Sequence, residues 1–308
     1  MKILILGAGG IGGYFGGRLA ASGADVTFLV RSARATLLAK HGLVVKSPFG
    51  DLQLAVKTVL AEQLAPGYDM IIITPKAYDL DAALAAVAPA VGANSAMLPF
   101  LNGMRHIDVL KSRFGPERVL GGIAYIAATL NAEGEVMHLN QLHKLAFGEL
   151  DGKRSTRCDA LAAVMAKTKF NSALSDNISL ELWEKFVFLT TLAGMTCLMR
   201  ASVGAIMQAR DGEAQMLEML EECHKVAAAS GYTPRPQALE TSRKMLTERG
   251  SGFTASMLRD IERGGPTEGE HIVGDMLHRA KQHGIAAPLL RVALSHLQAY
   301  EAGRKESR

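Results

Sequence analysis

Lys2-Ile3-Leu4-Ile5-Leu6-Gly7-Ala8-Gly9-Gly10-Ile11-Gly12 is an apolar run passing straight into Gly-x-Gly-x-x-Gly. Helix-forming residues continue through Ala21, Gly23 interrupts them, and Val26-Thr27-Phe28-Leu29-Val30 forms a second apolar run. Strand, glycine motif, helix and strand within about thirty residues is the dinucleotide-binding pattern. Gly7 permits the tight turn, Gly9 lets backbone approach a pyrophosphate, and Gly12 lets helix and strand pack closely. Phosphates then lie on the positive end of the helix, whose first amides lack internal partners. Gly7, Ala8, Gly9, Gly10, Ile11 and Gly12 are therefore the first candidate cofactor ligands.

The end of the second strand selects the dinucleotide. An NAD-type site places an acid there for the ribose 2′-hydroxyl. This chain has Leu29-Val30-Arg31, with Ser32 and Arg34 beyond, and its nearest acid, Asp25, precedes the strand. An Arg suits a 2′-phosphate through charge-assisted, bidentate hydrogen bonds, so NADP(H) is the expected cofactor.

Working outward, Ala33–Lys40 reads as a short helix, and residues 43–45 and 52–56 as a hairpin around Ser47-Pro48-Phe49-Gly50-Asp51. Asp69–Thr74 has the continuous apolar character of a buried parallel strand and runs into Pro75-Lys76. Ala96–Leu101 is another strand candidate, ending at Asn102-Gly103. Ligands of doubly wound sheets lie beyond the carboxyl ends of the strands. Gly9, Arg31, Lys76 and Asn102 all follow apolar runs, which makes Lys76 a candidate phosphate contact and Asn102 a candidate for the nicotinamide ribose. Strand-like segments at 119–130, 135–139 and 144–148 are expected to complete the sheet, with a helix at 159–168 and a last strand at 170–174.

Beyond Ser175-Asp176-Asn177 the pattern is helical, at 180–199, 213–230, 236–247, 268–282 and 288–302, and Gly303–Arg308 reads as a frayed polar tail. The expected architecture is α/β: an N-terminal Rossmann-type doubly wound sheet over residues 1–176, then an all-helical C-terminal domain over 177–308. A length of 308 residues suits two domains. The net charge of +4 comes from scattered rather than clustered basic residues, which gives nucleic-acid binding little support. Three cysteines without metal-ligand spacing predict neither a metal site nor a disulfide framework, and point to a reducing cytoplasm. The apolar run at the N-terminus breaks at Gly7, too early for a signal peptide, and the longer apolar stretches are interrupted, so a soluble protein is expected. Apolar positions on the C-terminal helices leave room for a homodimer.

Two features of the helical half point to chemistry. Lys185 lies within Leu182-Trp183-Glu184-Lys185-Phe186-Val187-Phe188-Leu189, where an ammonium needs a partner or a cleft. Desolvation lowers the pKa of such a lysine and suits it to proton transfer, unless it snorkels or pairs with Glu181 or Glu184. In Pro266-Thr267-Glu268-Gly269-Glu270, Thr267 and Glu270 have capping-box spacing, which leaves Glu268 at the first helical position, unneeded by the cap, either as a first-turn acid complementing the helix macrodipole or as a site residue. Ser256, at the start of a further helix, is either a first-turn residue or a ligand donor.

Taken together, these motifs resemble the ketopantoate reductase (2-dehydropantoate 2-reductase) family. The resemblance rests on Gly7-x-Gly9-x-x-Gly12, Arg31, Pro75-Lys76, Asn102-Gly103, Trp183-x-Lys185, Ser256-Met257-Leu258-x-Asp260-Ile261 and Thr267-Glu268, in order. It implies NADPH-dependent reduction of a 2-keto acid, ketopantoate, to pantoate in pantothenate biosynthesis. Lys185 would protonate the keto oxygen as hydride reaches C2, and Glu268 would hold the substrate hydroxyl. Ser256 would contact the substrate, Asn102 would sit between nicotinamide ribose and substrate, and Arg31 and Lys76 would bind the adenine-side phosphates. Two positions depart from the family pattern: Leu189 and Phe253 stand where asparagines are common. These changes favour, as an alternative, a paralogue reducing a more apolar 2-keto acid. A non-catalytic NADPH-binding sensor is a further alternative, which the retained Lys185 and Glu268 argue against.

Overall fold

The computed structural model describes residues 1–306, which divide into two compact units. The first comprises Met1–Leu101 and His106–Ile178, and the second comprises Asn102–Arg105 and the chain from Ser179 onward. Strands of the first unit are β1 (Lys2–Leu6), β2 (Asp25–Leu29), β3 (Leu43–Lys46), β4 (Leu52–Leu54), β5 (Lys57–Val59) and β6 (Met70–Ile73). They continue as β7 (Ala96–Pro99), β8 (Leu120–Tyr125), β9 (Ala128–Leu130), β10 (Val136–His138), β11 (Lys144–Glu149) and β12 (Asn171–Leu174). Its helices are α1 (Gly10–Ala21), α2 (Ser32–His41), α3 (Leu80–Val87), α4 (Arg105–Phe114, shared at its first residue with the second unit) and α5 (Thr156–Met165).

The central sheet has the order β5-β2-β1-β6-β7, with every neighbouring pair parallel. Strand order reverses between β1 and β6, and a ligand of such a sheet lies in the crevice beyond the carboxyl ends at that point. The register puts Leu6 beside Leu29 and Ile73, and Ile73 beside Pro99, so the loops after β1, β2, β6 and β7 leave one edge. Alternate side chains of the β-strands go to opposite faces. Ile3, Ile5 and Ile72 pack with Tyr14, Phe15 and Leu19 of α1, whereas Leu4, Leu6, Ile71 and Ile73 pack with Leu80 and Leu84 of α3 and Leu110 of α4. Each such burial contributes roughly 1.5–3 kcal/mol. The sheet is thus covered on both sides, and its open edge is where the loops emerge.

The later strands do not complete this sheet. They form a four-stranded sheet, β4-β3-β10-β9, and a three-stranded one, β12-β11-β8. The reason lies in pairing: β8 is antiparallel to β11 along its whole length, from Leu120 beside Glu149 to Tyr125 beside Lys144. A single parallel bridge, Met97 to Val119, links this segment to β7. The hairpin is present as β3 and β4, but the segment read as one strand over 52–56 stops at Leu54, and β5 joins the central sheet instead.

In the second unit all elements among the described residues are helical. They are α6 (Ile178–Met199, its first residue in the first unit), α7 (Val203–Ile206), α8 (Gly212–Ala229), α9 (Pro236–Leu246), α10 (Ser256–Glu262), a π-turn (Glu270–Gly274), α11 (Asp275–Gln282) and α12 (Pro288–Glu306). Helix α6 alone among the described residues is long and apolar enough to cross a membrane, yet Trp183, Phe186, Val187, Leu192 and Met195 along it are buried in protein. The residues read as a frayed tail are helical through Glu306, because Arg304 folds back on Glu301 at 2.8 Å; Ser307 and Arg308 lie outside the described residues. Cys158, Cys197 and Cys223 are buried free thiols, and among the described residues no cluster of metal-ligating side chains occurs.

Candidate active site

In the first unit, Gly7 adopts a φ of +95°, a region L side chains rarely enter, and its N–H donates to the Leu29 carbonyl at 3.0 Å. A Cβ on Gly12 would collide with the Gly7 carbonyl oxygen and with Thr74 Oγ1. Thr74 Oγ1 itself donates to the Leu6 carbonyl at 2.8 Å, tying the ends of β1 and β6 together at the reversal point. Gly9 is different: a Cβ there would meet nothing within 4 Å. Gly9 caps α1, no side chain satisfies its first amides, and the first turn holds no acid. Open space beside unsatisfied N–H groups and a positive helix end fits a pyrophosphate. Ala8 is buried, Gly10 begins α1, and Ile11 is half-buried against the core.

Arg31 follows β2 with its side chain 82% exposed and 3.5 Å from Asp79, a solvent-screened pair that leaves the guanidinium able to meet an anion. Asp25 is at the opposite end of β2 and is bound to Lys57 Nζ at 2.8 Å, so it is unsuited to a ribose hydroxyl. Lys76 is half-buried and caps a short 3₁₀ turn after β6. These residues together fit a phosphorylated dinucleotide.

In the second unit, Lys185 is half-buried on α6 between Trp183 and Phe186, which are 2% and 1% exposed. Its neighbour Glu184 is already engaged, accepting from Arg235 Nε at 2.8 Å and from the Arg235 backbone N–H at 2.9 Å. Desolvation lowers the Lys185 ammonium from 10.5 to about 8, while the Glu268 carboxylate pulls it upward. Glu268 is 6% exposed, and a carboxylate that deep requires a cationic or hydrogen-bonding partner.

The structure differs from the sequence reading around Glu268. The capping box of Thr267 and Glu270 does not form. Thr267 N–H donates instead to Glu301 Oε1 at 2.6 Å, and Glu270 accepts from Gln298 Nε2 at 2.7 Å, so α12 supplies both partners. Glu268 is the cap rather than the first helical residue, since its carbonyl accepts from Ile272 N–H at 3.0 Å. The π-turn that follows is a feature often found at functional sites. It turns His271 inward, to 7% exposure.

His271 was not anticipated from the sequence. Burial lowers its pKa, while Glu268, Asp275 and a hydrogen bond to the Asn102 backbone raise it. A Cβ on Gly103 would lie 3.0 Å from the His271 carbonyl oxygen. The Asn102-Gly103 turn, expected to belong to the nucleotide domain, is therefore fastened to the helical unit beside Glu268. Only a His three residues after a candidate Glu signalled this in the sequence, and a π-turn was needed to bring it inward. Lys185, Glu268 and, through His271, Asn102 are thus brought together. Ser256 is exposed at the first turn of α10. Leu189 is half-buried on α6, and Phe253 is 37% exposed with its ring 6.2 Å from that of Phe188.

The two units define the class: an oxidoreductase with a Rossmann-type α/β unit and a helical second unit. A family model described as ketopantoate reductase PanE/ApbA matches residues 3–152, and its C-terminal counterpart matches residues 177–301. The chain belongs to the ketopantoate reductase family. It is 37% identical to the uncharacterised oxidoreductase YkpB of Bacillus subtilis, over 98% of this chain and 99% of that one. The crystal structure of a PanE/ApbA family ketopantoate reductase from Ralstonia eutropha JMP134 is similar at a TM-score of 0.89 and 25% identity, covering 99% and 100% of the two chains. D-mandelate dehydrogenase, solved with NADH and anilino(oxo)acetate, shares the fold at a TM-score of 0.87 and 23% identity, covering 99% and 100%.

Proposed function

We propose that this protein reduces a 2-keto acid to the 2-hydroxy acid with NADPH, and that ketopantoate is its substrate. The observation that carries the reading is Lys185, a desolvated ammonium with a pKa of about 8 facing the buried carboxylate of Glu268. Bound NADPH supplies the hydride. Lys185 donates a hydrogen bond to the keto oxygen and its proton to the alkoxide as negative charge develops there. Glu268 accepts from the substrate hydroxyl and keeps Lys185 protonated. Asn102, held by His271, offers its amide to the nicotinamide ribose and the substrate, and Ser256 contacts the substrate from α10. The loop Gly7–Gly12 holds the pyrophosphate, Arg31 the 2′-phosphate and Lys76 the adenine-side phosphates.

Leu189 and Phe253 support a second reading, a more apolar 2-keto acid as substrate, because a pocket lacking amides discriminates less in favour of a hydroxylated substrate. Steady-state kcat/KM for ketopantoate against 2-oxo-3-methylbutanoate, which lacks only the hydroxymethyl group, decides between them. A preference for ketopantoate of tenfold or more is expected; a reversed ratio selects the apolar acid, and no turnover of any 2-keto acid leaves a nucleotide-binding protein without this reaction. With the preferred acid, Arg31→Ala is expected to raise KM for NADPH by roughly 10- to 100-fold, the value of a charge-assisted contact of about 1.5–3 kcal/mol. NADH kinetics in that variant should change little.

A further inference from the structure

Arg34 lies one helical turn beyond Arg31, near the start of α2, and points back to the glycine loop. Its Nη2 donates to the Ala8 carbonyl at 2.8 Å and its Nη1 to the Gly134 carbonyl at 2.6 Å. Ala8 stands between Gly7 and Gly9, and Gly134 lies in the turn joining β9 to β10, so one side chain ties the loop to a second sheet. The Nε is buried with no hydrogen-bond partner among the described residues. Among the described residues no carboxylate takes part in this arrangement. Burial alone shifts the guanidinium pKa, and shifts it downward. A cation satisfied only by two carbonyl oxygens keeps its full charge uncompensated, and half-burial limits screening by salt.

An arginine in such surroundings is normally paired with an acid, because an unpaired buried charge is costly. Here the compensation is missing beside the place where the dinucleotide's phosphates would lie. We infer that Arg34 is a positioning residue of the nucleotide site, which holds the Ala8 carbonyl back so that the loop amides face the pyrophosphate and supplies the positive field that the bound phosphates neutralise. This rests on the nucleotide-binding role proposed above. It differs from the role of Arg31, since a loop clamp acts on the part common to NADPH and NADH.

The test is direct titration of NADPH and NADH, at low and raised salt, into the full-length protein and its Arg34→Gln, Arg34→Lys and Arg31→Ala variants, with melting curves to establish folding. Arg34→Gln, which retains a donor but no charge, is expected to weaken both nucleotides about tenfold or more and to flatten the salt dependence. Arg34→Lys keeps the charge but cannot bridge two carbonyls; its affinities should fall between, with the salt dependence retained. Arg31→Ala should weaken NADPH alone. Variants with a lowered melting temperature but unchanged affinities would overturn the inference, as would a loss confined to NADPH. If the unmodified protein binds neither nucleotide, the cofactor reading fails and the part given to Arg34 fails with it; unweakened binding of both nucleotides by a folded Arg34→Gln variant removes Arg34 alone.

Discussion

Replacing Lys185 with alanine is expected to lower kcat for 2-keto acid reduction by about a thousandfold, the range of a lost general acid combined with a lost oxyanion partner. Unchanged turnover would remove Lys185 from the reaction. In the proposed reduction Lys185 acts in its ammonium form. With a pKa of about 8, kcat should be level below pH 8 and fall tenfold per unit above it. The same shift has an opposite consequence for stability. Below pH 8 the lysine is charged in both folded and unfolded chains, and the folded state bears the full desolvation cost. Between about 8 and the ordinary value of 10.5 the unfolded chain binds more protons, so folding stability rises with pH and the cost fades. Lys185→Met should therefore melt at a higher temperature than the native chain at pH 7, with the difference shrinking toward pH 10, as scanning calorimetry across that range would show. A catalytic group that weakens its own fold is a common compromise.

Glu268→Gln is the second large effect. Loss of a charge-assisted hydrogen bond worth about 2–3 kcal/mol predicts a roughly 30- to 150-fold lower kcat/KM for ketopantoate. Because the Glu268 carboxylate raises the Lys185 pKa, its removal should also move the alkaline limb of the kcat profile to lower pH. A variant with reduced kcat/KM but an unmoved limb would keep Glu268 as a substrate contact and disprove its coupling to Lys185. A substrate lacking the hydroxyl should lose less in this variant than ketopantoate does.

Much of this was legible in the amino-acid pattern, for identifiable physical reasons. Gly7 and Gly12 are demanded by local backbone geometry, so the motif is legible from Lys2 to Gly12. Lys185 stands out because an ammonium among aromatic side chains contradicts its surroundings. The parts that were not legible depend on pairing between distant segments. Whether β8 continues a parallel sheet or pairs with β11 is decided by which partner it meets, and β-rich composition does not encode that. Thr267 and Glu270 have ideal spacing for a capping box, yet Glu301 and Gln298, some thirty residues away, outcompete the local pair. The helix then opens into a π-turn that no periodicity signals, which is why His271 and its hold on Asn102 went unseen.

The last turns of α12 bear on the site more than their place near the chain terminus suggests. Tyr300 OH donates to the Gly265 carbonyl at 2.7 Å and Glu301 accepts from Thr267 N–H, so the segment leading into Glu268 hangs from residues 300 and 301. Changes at residues 300 and 301 are thus expected to act on the placement of Glu268. A chain ended at Gln298 is expected to bind NADPH normally while its KM for the keto acid rises severalfold, as titration and initial-rate measurements on the shortened protein would show. Tyr300 and Glu301 thereby act as a distant support for the Glu268 carboxylate.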